Sequence, residues 1–281
     1  MDAGTFEGFS TALDGPGILT VTFDRPETMN ASTIGMKRDL VELLTRAQLD
    51  DAVRVLVFTG TGRAFWAGDD MKSYGHTAGS MMGPIGAGHS TPLGTYDALR
   101  AVSQAVNVAV RNLDKLTIAA INGYAIQTGF SFALACDFRI AARSARLGSA
   151  TLRFALLPDE GGQWLLVQHL GVARTMDFLM RKRIVSADEA LELGLVHEVT
   201  ADDDLAAAAA DLARELADGP QVAMRLLKRS IYNAAELSLP HALDDIAAKT
   251  AISDHHADAR AGARAFRDKQ PARFNDWLES S

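Results

Sequence analysis

A short turn between a predicted strand and a predicted helix offers the first chemistry in this chain. In the segment NGYAIQTGFSFALACD the strand ends near Ile126 and the helix begins near Gly129, so the turn Gln127–Thr128–Gly129 exposes N–H groups at a helix N-terminus. Such N–H groups, aided by the helix dipole, stabilise negative charge that develops during a reaction. The sequence therefore predicts an oxyanion site here, with a tight turn that binds nothing as the alternative.

A second glycine-rich segment, TGTGRAFWAGDDMK, also follows a predicted strand. A Gly-x-Gly after a strand can open a dinucleotide-binding fingerprint, but the third glycine would fall at Phe65, so the fingerprint fails and we expect no nicotinamide cofactor. What remains is backbone near Gly68–Asp69 with little steric cover. Backbone of this kind can present N–H groups to an anion.

Strands alternate with helices over the first part of the chain, which predicts βαβ units and a largely parallel sheet. The predicted strands are GILTVTFDRP ended by Pro26, VRVLVFTG, LTIAAINGYAI and FRIAA; the predicted helices are Thr33–Asp50, Asp97–Asp114, FSFALACD, Gln163–Leu170, Val172–Met180 and Ala187–Leu193. The composition changes after Thr200, where DDDLAAAAADLARELADG reads as an acid-capped, alanine-rich helix and helical sequence continues to about Asp268. We predict an α/β core at 1–200 and a helical region at 201–281.

The overall composition excludes several classes of protein. The formal net charge of −7 argues against a nucleic-acid partner, since phosphate neutralisation needs a basic face. Cys136 is the single cysteine, so no internal disulfide can form, and a reducing compartment is the simplest context. The start MDAGTFEGFS lacks the basic segment of a signal peptide, and no run of about 18 apolar residues could span a membrane. We expect a cytoplasmic protein with no membrane partner.

Residues 73–96 have the composition of a long loop, rich in Gly, Ser, Thr, Met and Pro. A loop of this length is either a surface linker or a substrate lid. Met81 and Met82 favour a lid, because flexible thioethers suit variable apolar ligands.

Several motifs, in order along nearly the whole chain, resemble those of the enoyl-CoA hydratase/isomerase (crotonase) family. They are DRPETMNA, TGTGRAFWAGDDMK, NGYAIQTGFSFALACDFRIA, LLPDEGG and SADEALELGLVHEV. The resemblance implies an α/β fold built as a spiral of ββα units, with a C-terminal helical region that forms homotrimers, often paired into hexamers. It also implies a CoA thioester as substrate and no permanently bound cofactor.

The same resemblance assigns site residues by position. The thioester carbonyl oxygen would lie between the backbone N–H groups of Asp69 and Thr128, which would stabilise an enolate. Lys72 falls where the family often places a lysine near the CoA phosphates. Phe266 and Lys269 fall where a neighbouring subunit touches the nucleotide. Surface or packing roles are the alternative for these last three residues.

The chain departs from the hydratase pattern at both catalytic glutamates. The first belongs two residues after the glycine triplet, where Ser131 stands, and the second belongs where RLGSAT places Thr151. Hydration of an enoyl thioester needs a base for water and an acid for the α-carbon. Hydroxyl groups cannot act as carboxylates near neutral pH, so we do not expect ordinary two-glutamate hydration.

Two other acids, Asp159 and Glu160 in LLPDEGG, are the candidate catalytic groups. By resemblance, Asp159 matches the position used by ring-acyl isomerases and aryl-CoA dehalogenases, and Glu160 matches the glutamate of Δ3,Δ2-enoyl-CoA isomerases. Moving a double bond needs only one carboxylate, and an apolar pocket would raise its pKa toward neutrality. Trp164, one turn later, fits the tryptophan beside the aspartate in one isomerase group, or it is ordinary core packing. The alternative for both acids is that they cap the next helix, because Glu160 and Gln163 have the spacing of a capping box.

Other chemistries remain open on the residues alone. Gly129-x-Ser131-x-Ala133 resembles a weakened nucleophile elbow, which Asp159 and His169 or His197 would complete as a serine hydrolase. The histidines show no metal-binding spacing such as HExxH, so we expect no metal. We favour double-bond isomerisation, with a diverged hydratase or a catalytically silent acyl-CoA-binding protein as alternatives.

Overall fold

The computed structural model describes residues 6–70 and 91–278, and ten strands in these residues form two sheets. The strands are β1 (Phe9–Asp14), β2 (Ile18–Phe23), β3 (Val55–Gly60), β4 (Ala64–Trp66), β5 (Leu116–Ile121), β6 (Tyr124–Ile126), β7 (Phe138–Ala142), β8 (Arg146–Gly148), β9 (Ile184–Ser186) and β10 (Glu198–Thr200). The larger sheet has the order β1-β2-β3-β5-β7-β10 and is parallel except for β1 against β2. The smaller sheet has the order β4-β6-β8-β9.

Helices connect and cover these strands. They are α1 (Ile34–Leu49), α2 (Pro92–Ala98), α3 (Gln104–Asn112), α4 (Thr128–Ala135), α5 (Gly162–Met180), α6 (Ala187–Glu192), α7 (Leu205–Asp218), α8 (Gln221–Ala234), α9 (Leu239–Asp254) and α10 (Ala257–Asp268). A π-helical segment, Leu99–Ser103, joins α2 to α3. None of the helices in the described residues is long and apolar enough to span a membrane.

The chain repeats one unit three times: a strand of the large sheet, a strand of the small sheet, and then a helix. The repeats are β3-β4 followed by α2 and α3, β5-β6 followed by α4, and β7-β8 followed by α5. This is the ββα repeat predicted from the family resemblance. Because β4, β6 and β8 are parallel neighbours in the small sheet, the turns that follow them all lie at the same edge of that sheet.

The predicted strand LTIAAINGYAI is two strands rather than one. Asn122 separates β5 from β6, and its side chain accepts from Gly60 N at 3.1 Å and donates to the carbonyls of Gly62 and Ala64 at 3.2 and 3.1 Å. These bonds tie the crossing between sheets to the equivalent crossing in the preceding repeat. An apolar run cannot reveal such a break, since both halves are apolar.

One further boundary differs from the prediction. Helix α2 begins at Pro92, with the Thr91 hydroxyl accepting from Gly94 N at 3.1 Å, so the last residues of the predicted loop 73–96 are helical. Residues 73–90 of that loop lie outside the described residues. Gly171 adopts the non-helical angles φ 72° and ψ 169° and divides α5 into two helical parts, which correspond to the helices predicted at Gln163–Leu170 and Val172–Met180.

The core has two parts, one on each face of the large sheet. The larger part packs α1, α3, α4 and α5 around a cluster of aromatic rings formed by Phe23, Phe58, Phe65, Trp66 and Phe132. The smaller part packs Leu205, Ala209, Ala213 and Leu216 of α7 against the other face. Helix α7 therefore packs with the sheet although it follows the predicted boundary at residue 200. The division into a core and an oligomerisation region remains a prediction.

Candidate active site

The turn that precedes α4 is held in a strained conformation. Gln127 has φ 53° and ψ −113°, a region that favours glycine and costs a residue with a side chain on the order of 1–3 kcal/mol. Its side chain forms compensating bonds, accepting from Ser149 Oγ at 2.8 Å and donating to Glu160 Oε2 at 3.1 Å. Gly129 has no room for a side chain, because a Cβ would lie 1.9 Å from the Trp66 carbonyl oxygen. The turn is thus pressed against the end of β4.

The backbone of Gly68–Asp69 lies beside this turn, since β4 and β6 are parallel neighbours. The Thr128 and Asp69 side chains touch, with Oγ1 and Oδ1 3.1 Å apart. Neither the Asp69 N–H nor the Thr128 N–H donates to any acceptor within residues 6–70 and 91–278. Two uncommitted N–H groups on adjacent turns are what an oxyanion site requires. Their assignment as the oxyanion donors remains a prediction.

The Asp159–Glu160 turn closes the site from the third repeat. The Glu160 side chain is buried at 3% exposure, and its Oε1 lies 2.6 Å from Thr128 Oγ1. Helix α3 fixes the backbone, since Gln104 donates to the Asp159 carbonyl and Asn107 to the Glu160 carbonyl, both at 2.9 Å. The alternative that these acids cap α5 is wrong: Gly161 is the N-cap residue, and α5 has no side-chain cap.

The surroundings raise the pKa of both acids. Burial, the Asp159 carboxylate and the Asp69 carboxylate raise the pKa of Glu160 to about 7. Burial and Asp69 also raise the pKa of Asp159. The pair therefore takes up a proton more readily than ordinary carboxyl groups, as expected for acids that share an enclosed space.

A cavity of about 190 Å³ joins the three turns. Asp69, Gln127, Thr151, Asp159 and Glu160 contribute its polar wall. Apolar side chains form the rest of the wall, among them Leu99, Ile126, Phe154, Leu156 and Leu157. The cavity thus combines two acids, the turn of Gly68–Asp69 and an apolar lining, which is the composition of a small-molecule site.

Larger cavities of about 500 and 420 Å³ lie next to this one and share Asp159 with it. Trp164 lines the 500 Å³ cavity together with Asp159, so it lies near this acid as predicted, although it does not line the 190 Å³ cavity. Its ring centroid is 5.1 Å from the Arg111 guanidinium.

The two residues predicted to replace the hydratase glutamates occupy different settings. Ser131 is buried on α4 and packs under the start of α5, where a Cβ on Gly162 would lie 2.5 Å from Ser131 Oγ. Thr151 lines the cavity, and its hydroxyl is 3.2 Å from Ser149 Oγ. Neither side chain supplies a carboxylate to the site.

The serine hydrolase alternative has no assembled triad. His169 Nε2 lies 3.3 Å from the Leu134 carbonyl oxygen, and burial lowers the pKa of this histidine to about 4. His197 Nδ1 accepts from Arg139 N at 3.1 Å. These ring nitrogens bond to the backbone, and within the described residues neither imidazole bonds to Ser131.

The residues predicted to bind CoA lie apart from the cavity or outside the described residues. Phe266 is on α10 and is 87% exposed, and Lys269 ends the same helix in the left-handed conformation with φ 54°. Lys72 lies outside the described residues. The CoA contacts therefore remain predictions.

Lys37 is a charged residue beside the candidate site that the sequence did not point to. It lies on α1, fully buried, with Nζ 2.7 Å from Asp69 Oδ1 and 3.0 Å from Ser103 Oγ. A signal was present, because Lys37 falls in register with Leu40 and Leu44 on the apolar face of the predicted helix. A lysine in such a row must find a polar partner, since an unpaired buried charge is too costly.

Comparison with known proteins identifies the class of enzyme. The family model described as enoyl-CoA hydratase/isomerase matches residues 14–277. The 1,2-epoxyphenylacetyl-CoA isomerase of Escherichia coli K12 is 35% identical, with 92% of this chain and 95% of the relative covered. A probable enoyl-CoA hydratase of Rhodobacter capsulatus is 33% identical, with 92% and 94% covered.

Comparison with solved structures identifies the same family. A crystal structure of an enoyl-CoA hydratase from Bacillus anthracis superposes with a TM-score of 0.87 at 29% identity, covering 95% of this chain and 99% of that one. The chain belongs to the enoyl-CoA hydratase/isomerase family, whose members act on acyl-CoA thioesters, and it has the crotonase fold. The family and fold predicted from the sequence motifs are confirmed.

Proposed function

We propose that this protein moves the double bond of an unsaturated acyl-CoA by way of an enolate, using a carboxyl group of the Asp159–Glu160 pair. One observation carries the proposal: both acids line the same cavity as Asp69 and Gln127, and the Glu160 carboxyl group contacts the hydroxyl of Thr128, the residue after Gln127. The Escherichia coli relative is named as an isomerase of an epoxyphenylacetyl-CoA, which supports isomerisation of an acyl-CoA as the broader reaction class.

The reaction would proceed through proton transfers alone. The N–H groups of Asp69 and Thr128 would bind the thioester oxygen and stabilise the negative charge that forms when a proton leaves the α-carbon. A carboxylate in the cavity would take that proton, and a proton returned to the γ-carbon would complete the shift of the double bond. The apolar wall of Leu99, Phe154 and Leu157 would hold the acyl group and keep water from the enolate.

The site gives less support to hydration. Two carboxyl groups are present, but they are adjacent in sequence, and the positions assigned by resemblance to the hydratase glutamates hold Ser131 and Thr151. A silent acyl-CoA-binding protein has no need of buried acids in its ligand cavity. Isomerisation is therefore the reaction that the arrangement supports best.

The test is a mass-spectrometric screen of 2- and 3-enoyl-CoA thioesters in heavy water. We expect deuterium incorporation or double-bond movement, together with poor hydration of crotonyl-CoA. Asp159→Asn or Glu160→Gln should lower turnover about 10²–10⁴-fold, with CoA binding nearly unchanged. Glu192→Gln, at the exposed end of α6, is the matched control and should have no effect. Full rates in both site variants would refute the carboxyl assignment, and hydration at ordinary hydratase rates would refute the isomerase assignment.

A further inference from the structure

A continuous row of polar side chains runs from the buried face of α1 to the Asp159–Glu160 turn. Lys37 Nζ is 2.7 Å from Asp69 Oδ1, which also accepts from Ser32 Oγ at 2.9 Å. The same Asp69 oxygen is 3.1 Å from Thr128 Oγ1, and that hydroxyl is 2.6 Å from Glu160 Oε1. Thr128 therefore stands between two carboxyl groups.

The hydroxyl of Thr128 has one hydrogen and cannot donate to both neighbours. If Asp69 and Glu160 were both ionised, one carboxylate oxygen would face the lone pairs of Thr128. If Asp69 carried the proton, buried Lys37 would lose the negative charge beside it. If Glu160 carries the proton, every contact is favourable: Glu160 donates to Thr128, Thr128 donates to Asp69, and Lys37 pairs with an ionised Asp69.

The charged groups around Glu160 also favour its protonated form. The charged and titratable groups that face Glu160 within the described residues are Lys37 from α1, Asp69 from the turn after β4 and its neighbour Asp159. The contacts from α3 and from the turn before α4 are the uncharged amides of Asn107 and Gln127. Burial and the carboxylates of Asp159 and Asp69 raise the pKa of Glu160, and together they outweigh the ammonium group of Lys37, which lowers it.

We propose that the Thr128 hydroxyl is a positioning residue that accepts the proton of Glu160, and that Lys37 holds Asp69 ionised as the acceptor for Thr128. In this arrangement Glu160 donates the proton to the enolate while Asp159 acts as the base. This division of roles rests on the proposed isomerase function. In the reaction Asp159 would remove the α-proton, the electron pair would pass into the enolate, and Glu160 would deliver its own proton to the γ-carbon. The cycle closes when the proton on Asp159 passes to the ionised Glu160.

Infrared titration of the protonated carboxyl group tests this inference without any substrate. The carboxylic C=O band lost in Glu160→Gln belongs to Glu160, and the pH at which it disappears in the wild type is its midpoint. Thr128→Val keeps the backbone N–H and the side-chain shape but removes the acceptor for the Glu160 proton. We expect its midpoint to fall by roughly one pH unit, and Thr128→Ser to restore it; Thr128→Ala serves if the valine variant does not fold.

A raised infrared midpoint in Thr128→Val would contradict the inference. If Thr128 instead donates to an ionised Glu160, removal of the hydroxyl will raise the midpoint, and a raised or unchanged midpoint overturns the inference. The infrared result does not depend on turnover. A failure of the proposed isomerisation would show as absent exchange in heavy water with the infrared shift intact, so the two failures can be told apart.

Discussion

Glu160 is a buried acid whose neutral form the fold favours. Its pKa is raised to about 7, chiefly by burial, from an ordinary value of 4.5. A raised pKa of an acid contributes stability that is fully present below the unfolded pKa and is lost as the pH rises through the folded value. Ionisation of buried Glu160 therefore lowers the unfolding free energy in neutral and alkaline solution. Groups with such shifted pKa values are common at catalytic sites.

This leads to a prediction on stability against pH. Between pH 5 and pH 8 the wild type should lose on the order of 3 kcal/mol of unfolding free energy through Glu160. Glu160→Gln removes the titrating group and should show a correspondingly flatter profile. Urea denaturation at several pH values measures this, with Glu192→Gln as the control that should follow the wild type. Parallel profiles for the wild type and Glu160→Gln would contradict the raised pKa.

At the residue scale, the sequence predicted the acids but not the groups that control them. Asp159 and Glu160 could be chosen because their motif had a known counterpart and because acids before a helix have few roles. The contacts of Lys37, Asp69 and Thr128 join residues far apart in sequence, from 37 to 160. Such contacts depend on how the repeats stack, which no local pattern encodes.

At the element scale, long apolar elements were predictable and short ones were not. The cores of β2, β3, β5 and β7 and the helix α1 follow the predicted segments, since each buries a clear apolar run or stripe. In the small sheet, β4, β8 and β9 were missed and β6 was predicted as a continuation of β5, because these strands have only three residues each. Period-two alternation cannot be detected over three residues.

Helix α8 is attached to the core by a buried ion pair. Lys228 Nζ lies 2.7 Å from Oδ2 of Asp137, the residue before β7, and the two side chains are 4% and 10% exposed. Asp137 also accepts from the backbone N–H and the hydroxyl of Thr117, each at 2.8 Å, and from the Tyr232 hydroxyl. The network joins α8, β5 and β7.

We predict that Lys228→Met destabilises the protein strongly. Loss of the ammonium group leaves Asp137 as a buried charge without its cation, which costs roughly 3–5 kcal/mol; the Thr117 bonds favour the lower end of that range. Arg214→Ala breaks the exposed pair with Asp211 and is the control, expected to cost less than about 1 kcal/mol. Chemical denaturation measures both variants. Equal, small effects would show that the buried pair does not anchor α8.

At the scale of the whole molecule, the C-terminal helices leave apolar surface exposed. Helix α9 buries none of its side chains, although Leu239 and Leu243 share one face and are 71% and 57% exposed. On α5, Val172, Met176 and Met180 form a second exposed row at helical spacing. Apolar rows of this kind are typical of surfaces that bind another protein. They fit the predicted trimer, in which such faces are covered by neighbouring subunits.

The assembly prediction can be tested with the CoA contacts. We expect the wild type to be a trimer or hexamer by light scattering at micromolar concentration, because burial of the α9 face should stabilise association. Leu243→Glu should shift the protein toward monomer, whereas Leu49→Glu, at the exposed end of α1, is the matched control and should not. If Phe266 and Lys269 reach the nucleotide of a neighbouring subunit, Leu243→Glu and Lys269→Glu should both weaken CoA binding in calorimetry. Only Leu243→Glu should also lower the particle mass measured by light scattering. A stable wild-type monomer that binds CoA at full strength would refute both the assembly and the shared site.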